Sequence, residues 1–336
     1  MNHSNSGQQG SVPRGFRQVA PAFVLFFMSP YVAEFLLGNL SIGAIVAIFF
    51  VGPLYGGGAL IIREVVRRTG RGWPTIVLLA LAYGLFEEGL SLQTLFNPNY
   101  LGLRLLDQAY VPALGIGGWW TVYVLTLHTV WSISVPIALT EALFADRRTT
   151  PWLGKVGLGV AVALFLVGLV MNHAMTGKME KFSASLPQLA SVAVLIGVVV
   201  LLAFKVRGRS ELRAGFVPKP WQVGAFTFVL GLLHMRGHLL AQNWALVALL
   251  LVLLAGAAAC ILTWSARIGW TPLHLLSAAG GAALTYGCLA FPQEPSYGAK
   301  GTVDLVGNII FGALAVLLLT LAIRAQRRAL STGGSR

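Results

Sequence analysis

The sequence predicts an all-α polytopic membrane bundle of about ten transmembrane helices, with both termini on the cytoplasmic side. Three observations predict it. Of the 336 residues, 56% are hydrophobic and only 10% charged, where a soluble domain carries about 25% charged residues. Ten apolar runs are each long enough to cross a hydrocarbon core of roughly 30 Å. The cationic residues alternate between successive connections, as the positive-inside rule requires.

The elements follow in order. Residues 1–18 are polar and rich in Gly and Ser, and read as a disordered cytoplasmic N-terminus. The first run, 20–38, contains Pro30, Tyr31 and Glu34 and lacks a small-residue cleavage site after a short apolar core, so it reads as a retained helix. The second, 41–62, carries Gly56, Gly57 and Gly58, and the third, 74–96, carries Gly84. These glycines either weaken the helices or let neighbours approach closely, the commoner use in membranes. The remaining runs are 119–144, 155–175, 187–205, 222–241, 243–265, 271–291 and 303–323. Together they make a membrane domain over 19–324, followed by a basic cytoplasmic tail over 325–336. The longest connections, 97–118 outside and 206–221 inside, are too short for a soluble domain.

Orientation comes from Lys and Arg. With a cytoplasmic N-terminus, 19 of the 24 cationic residues fall in inner segments. Arg104, Lys178, Lys181 and Lys300 lie outside, and Arg236 is left within a span. The net charge of +13 is therefore a topology signal and a contact for anionic headgroups. Nucleic-acid binding is excluded as an expectation, because no folded basic domain stands outside the membrane. A phosphate loop of the G-x-x-x-x-G-K-[ST] type is absent. Cys260 and Cys288 lie in apolar runs and read as small buried hydrophobes rather than a disulfide or metal framework. Heavy use of Ala, Gly, Leu and Arg fits a multi-pass protein of the bacterial inner membrane, with membrane lipids as partners and no cofactor expected.

Glu87 and Glu88 are the most informative residues. They follow an uncharged run from Pro74 to Phe86, and a charged carboxylate near the bilayer centre costs about 2.5–3.5 kcal/mol on insertion scales. Counted back from the outer ends of their spans, they lie about 12–14 Å deep and His128 about 13 Å deep. Glu34, Asn172, His173, His234, Arg236 and His238 fall nearer the outer face. For Glu34, His173 and His238, contact with headgroups and water is the simpler expectation. Glu141 is expected to reach Arg147 or Arg148 at the inner interface, and His274 to be structural.

Helical phase adds a stripe. Tyr83, Glu87, Ser91 and Thr94 recur at i, i+4, i+8 and i+11. On an α-helix Glu88 points about 100° away, so one carboxylate should enter a cavity and the other face a neighbouring helix. Thr121, His128 and Ser132 share a face of the next span, as do His234, His238 and Gln242 further on. The His234/His238 spacing is that of metal-binding helices, but no His-Glu-x-x-His accompanies it, which leaves the pair as weak metal candidates. Because the third and fourth spans are joined on the outer side, they are antiparallel, and His128 is expected to be the closest partner of the glutamate pair.

Glu87-Glu88 on one span, His128 on the next and His173 on the one after resemble the CAAX protease and bacteriocin-processing (CPBP) membrane family. That family carries Glu-Glu-x-x-x-Arg, then aromatic-x-x-x-His, then His-x-x-x-Asn or Asp. Here Leu92 stands at the Arg position, Val124 at the aromatic position beside Tyr123, and Gly177 at the last position, with Asn172 preceding the histidine. The likeness covers residues 80–180. It implies peptide hydrolysis at the membrane, with Glu87, Glu88, His128 and His173 catalytic and a glutamate activating water. Blocks such as Leu54 to Glu64 and Phe96 to Tyr100 look like uncharacterised bacterial multi-pass proteins.

The residues themselves leave an alternative open. Acidic and histidine chains in membranes also mark proton or cation pathways, on which Tyr83, Ser91, Ser132, Asn172 and His234 would be stations for a transported small molecule or proton. Side-chain separations under about 6 Å among Glu87, Glu88, His128 and His173 favour catalysis or a metal; a continuous polar path to the opposite face favours transport.

Overall fold

The computed structural model describes residues 14–206 and 212–333. The N-terminal segment 1–13, Arg207 and Arg209 of the charge count, and Arg336 lie outside the described residues. Ten helices follow one another. They are α1 (Arg14–Pro30), α2 (Ile48–Arg68), α3 (Trp73–Leu85), α4 (Gly118–Leu143), α5 (Lys155–Glu180), α6 (Leu186–Lys205), α7 (Pro220–Arg236), α8 (Asn243–Ser265), α9 (Pro272–Leu289) and α10 (Thr302–Gly333). Among the described residues eight are long and apolar enough to cross a membrane, α1 and α3 when counted through Phe35 and Ser91; α7 and α9 are not among these eight. The chain is an all-α membrane helix bundle. A two-residue hairpin, β1 (Tyr110–Val111) with β2 (Ile116–Gly117), sits in the connection between α3 and α4.

The bundle has an inner set and an outer set. In α1 to α4, half or more of the apolar window is buried, against 11–17% in α5, α6 and α8. The outer helices present apolar faces as lipid-facing elements must, and α1 to α4 enclose the polar groups. Gly56 allows the α1–α2 crossing: a Cβ there would lie 2.2 Å from the Phe26 carbonyl oxygen. Helix α2 runs unbroken through Gly56, Gly57 and Gly58, so these glycines serve packing and not unwinding. Gly56→Ala is expected to force the α1–α2 backbones apart and lower the melting midpoint in detergent, overpacking of this kind costing about 1–3 kcal/mol. Gly159→Ala is the control, since nothing lies within 4 Å of a Cβ there; equal melting of the two variants would refute the close crossing.

Several expectations are corrected at the ends. Helix α1 already begins at Arg14, inside the segment expected to be disordered. Helix α10 runs through the basic tail to Gly333, because Ala, Arg, Gln and Leu are strong helix formers and Gln326 donates to the Ala142 carbonyl at 3.1 Å. Helix α7 ends at Arg236, which therefore sits at a helix C-terminus, where a cation is favoured. Cys288 is exposed on α9 and Cys260 half-buried, both free. Glu141 pairs with Arg63 and Arg67, because α2 and α4 place them closer than the Arg147 and Arg148 side chains. The orientation with both ends inside remains a prediction. Reporter fusions after Arg336 and within 176–185 should report opposite sides, and a matching signal from both would sink it.

Candidate functional site

Three of the inner helices change their winding at the polar residues. Helix α1 continues as a π-helical turn, Tyr31–Phe35, holding Glu34. Helix α3 continues as Phe86–Ser91, holding Glu87, Glu88 and Ser91. Within α4, His128–Ser134 is π-helical and holds His128 and Ser132. The wider turns are read directly from i to i−5 hydrogen bonds: Leu36 to Tyr31, Leu92 to Glu87 and Val135 to Val130. Such π-turns are rare and concentrate at functional sites.

The π winding overturns the 100° argument. Glu87 and Glu88 both reach His128, one on each ring nitrogen. Glu88 Oε1 lies 2.7 Å from Nε2, and Glu87 Oε2 lies 3.1 Å from Nδ1. The second contact is an ion-pair distance without hydrogen-bond alignment, so the Glu87 oxygens count as unpartnered. Ser132 Oγ is 3.2 Å from the same Nδ1. Gly84 permits the approach, since a Cβ there would stand 3.1 Å from His128 Cβ. The expected closeness of His128 to the glutamate pair is thus present, through both carboxylates.

The two carboxylates differ in their other partners. Glu88 Oε2 accepts a short hydrogen bond from Thr94 Oγ1, which in turn accepts from Trp120 Nε1 at 3.1 Å. Thr94, expected on the Glu87 stripe, therefore serves Glu88. Glu87 is fully buried and neither of its oxygens has a hydrogen bond. Tyr83 Oη and Ser91 Oγ, on the same stripe, are also buried without partners among the described residues. Buried polar atoms are nearly always paired, so these oxygens are free to take a polar partner.

Aromatic rings frame the imidazole. Tyr55 stacks on it with centroids 6.1 Å apart, and Tyr83 tilts against it at 6.0 Å. Tyr55 Oη donates to Glu34 Oε1 at 2.6 Å, and Asn39 Nδ2 donates to Glu34 Oε2. Glu34 is half-buried. It is a neighbour of the site and not only an interfacial residue, which its position near a span end concealed.

The other expected site residues lie apart. His173 is exposed on α5 and its Nδ1 lies 2.8 Å from the Ser91 carbonyl oxygen. It satisfies the backbone at the end of the π-turn and does not touch either glutamate. Asn172 is half-buried and accepts from Thr176 at 3.5 Å. His234 is buried between rings, stacked on Tyr123 at 5.6 Å and tilted against Trp131 at 6.2 Å. His238 falls in the 3-10 turn Gly237–Leu239 beyond the end of α7. That turn destroys the i, i+4 face the pair needed, so His234 and His238 form no metal pair. The one grouping that offers a donor atom from each of three metal-ligating residues, among the described residues, is Glu87, Glu88 and His128, all within 4.8 Å of one another.

Chemically, His128 has two satisfied protonation states. Neutral, with the proton on Nε2, it donates to Glu88 and accepts from Ser132 at Nδ1. Protonated, it presents Nδ1–H toward Glu87. The tautomer is assigned from these partners. Glu88 thus holds the ring at Nε2, while Nδ1 faces both Glu87 and Ser132.

The profile of an uncharacterized membrane protein family matches residues 23–331, and the chain belongs to that family. No curated protein and no solved structure matches it. The match is to a family other than CPBP, so the CPBP likeness rests on the quoted residues alone.

Proposed function

We propose that the chain is an intramembrane hydrolase in which Glu87 takes the proton of a bound water that attacks a carbonyl, most simply the amide of a membrane-held peptide. The observation that carries this reading is the fully buried Glu87 carboxylate, which makes no aligned hydrogen bond and lies 3.1 Å from His128 Nδ1. A water between Glu87 and the substrate gives its proton to Glu87 and its hydroxide to the carbonyl carbon. The tetrahedral oxyanion then takes hydrogen bonds from Tyr83 Oη and Ser91 Oγ, the two unpartnered hydroxyls of the stripe. As the carbon–nitrogen bond breaks, the proton held by Glu87 passes to the leaving amine, with His128 as relay. Water and amide become a carboxylic acid and an amine.

Separations of 2.7 and 3.1 Å between His128 and the carboxylates fall inside the limit of about 6 Å that favours catalysis or a metal, for these three residues and without His173. One observation favours the second reading, proton or cation transport. The Glu34–Tyr55 pair continues the acidic chain from His128 toward the span end. A single design separates the two. The full chain in detergent is incubated with membrane peptides in ¹⁸O-water, and new C-termini are read by mass spectrometry. Labelled carboxyl termini from the wild type and none from Glu87→Gln support hydrolysis. No labelled product, together with dissipation of an imposed pH gradient by proteoliposomes holding the protein, would leave transport standing.

A further inference from the structure

The residues around the end of α7 belong to a second feature. A cavity of about 350 Å³ opens where α4 begins and α7 and α9 end. Its aromatic wall is Trp119, Trp120 and Tyr123, all from the first turns of α4. Arg236, His238 and Gln293 also line it. Arg236 is half-buried, and no acceptor or carboxylate pairs with its side chain among the described residues. The His238 and Gln293 side chains are half-buried too. Three donor-bearing groups thus converge on one space from two segments of chain, with nothing acidic lining it.

From this we infer a binding site for a phosphate-bearing amphiphile, an anionic lipid headgroup in chemical terms. The charge must be negative, since a partly desolvated guanidinium with no counter-ion is unfavourable without one. Phosphate fits better than a single carboxylate, because several donors stand ready for its oxygens and guanidinium matches it bidentately. An amphiphile fits better than a free ion, because aromatic rings and the buried Met235 and Leu289 supply much of the lining. The setting agrees. Trp and Tyr concentrate at headgroup level at both faces of a membrane. Arg236 is also the one cation that the topology did not account for, and a lipid-phosphate partner explains its place.

The cavity shares a wall with the glutamate site. Trp120 lines it and donates through Nε1 to Thr94, which donates to Glu88. An occupant that fixes the Trp120 ring therefore bears on the hydrogen bond that holds Glu88. The site does not require the hydrolase reading, and its test reads binding alone.

The test uses the full chain in uncharged detergent. Dihexanoyl phosphatidic acid, dihexanoyl phosphatidylcholine and inorganic phosphate are titrated separately, with bound stoichiometry read by native mass spectrometry. Phosphatidic acid is expected to bind saturably at one per chain, at least tenfold tighter than inorganic phosphate and than the zwitterionic lipid. Arg236→Gln is expected to weaken it tenfold or more, and Arg236→Lys to weaken it by less, since the charge stays and the bidentate match is lost. Trp119→Ala should weaken the lipid and leave inorganic phosphate unchanged. Melting curves show whether each variant is folded, and Gln293→Leu provides a second probe of the headgroup side if Arg236→Gln is not. Equal affinity for inorganic phosphate would overturn the amphiphile. Wild-type affinity in both Arg236→Gln and Gln293→Leu would overturn the site, whatever the ¹⁸O experiment returns.

Discussion

Glu87→Gln is expected to lower peptide hydrolysis by at least about a hundredfold, since a positioned general base contributes roughly 10²–10⁴, and to leave the melting curve unchanged. The amide keeps the shape of the carboxyl and removes only its ability to take a proton. No hydrogen bond is lost, because neither Glu87 oxygen makes one. Glu88→Gln should behave differently. A glutamine there still accepts from His128 Nε2, and its amide can donate to the Thr94 hydroxyl. Glu88 is a positioning residue, so its glutamine variant should lose about tenfold, the lower end of what weakening a ring-orienting hydrogen bond costs. Glu88→Ala should lose far more, because the ring is then released on that side. The pair is thus unequal, but through its partners and not through its direction on the helix. If Glu88→Gln falls as far as Glu87→Gln, or if Glu88→Ala is no worse than Glu88→Gln, the assignment of roles is wrong.

The ten helices were legible because the physical signal is long and repetitive. Uncharged runs of about 20 residues have one stable form in lipid, and α1 to α10 occupy those runs. The meeting of Glu87, Glu88 and His128 was legible too, from depth and from the antiparallel relation of α3 and α4. What failed were two readings that assumed 3.6 residues per turn, whereas Ser132 still meets His128 across i, i+4. The phases of Glu87 and Glu88, and the His234/His238 face, hold only on an ideal helix. The structure instead has π-turns at Tyr31–Phe35, Phe86–Ser91 and His128–Ser134 and a 3-10 turn at Gly237–Leu239.

No single-sequence pattern marks a π-turn, since one inserted residue leaves hydrophobicity unchanged. A polar residue out of register with its neighbours was the available hint, and the Glu-Glu dipeptide supplied it. Ser29 is a second sign in retrospect: its hydroxyl donates to the Ser132 carbonyl inside the π-turn of α4 at 2.5 Å. Partners brought in from elsewhere in the chain, such as Tyr55 on Glu34 and Trp120 on Thr94, depend on helix packing and had no sequence signature.

At the other end of the same helices, Arg63→Met is expected to destabilise the protein by about 3–5 kcal/mol, the penalty for breaking a buried ion pair from one side. Arg63 has no exposed surface. Its Nε donates to Glu141 at 3.1 Å and its Nη1 to Glu64 at 2.9 Å. Its Nη2 donates to the carbonyls of Arg147 and Arg148 at 3.2 and 3.0 Å, and the guanidinium lies 3.4 Å from the Trp152 ring centroid. One side chain thereby joins α2, α4 and the connection between α4 and α5. Methionine fills much of the volume and satisfies none of these groups. Glu64 would keep the backbone amides of Trp152 and Leu153 and the contact with Arg68. Glu141 would keep Arg67, whose Nη2 lies 2.6 Å from it. The two carbonyls would keep only what else reaches them. Arg67→Met should therefore cost less, since Glu141 then retains Arg63. Denaturant unfolding in detergent measures both. Activity in Arg63→Met should fall only in step with the folded fraction, whereas in Glu87→Gln it falls with the fold intact. Wild-type stability in Arg63→Met would mean that the cluster does not brace α2 against α4.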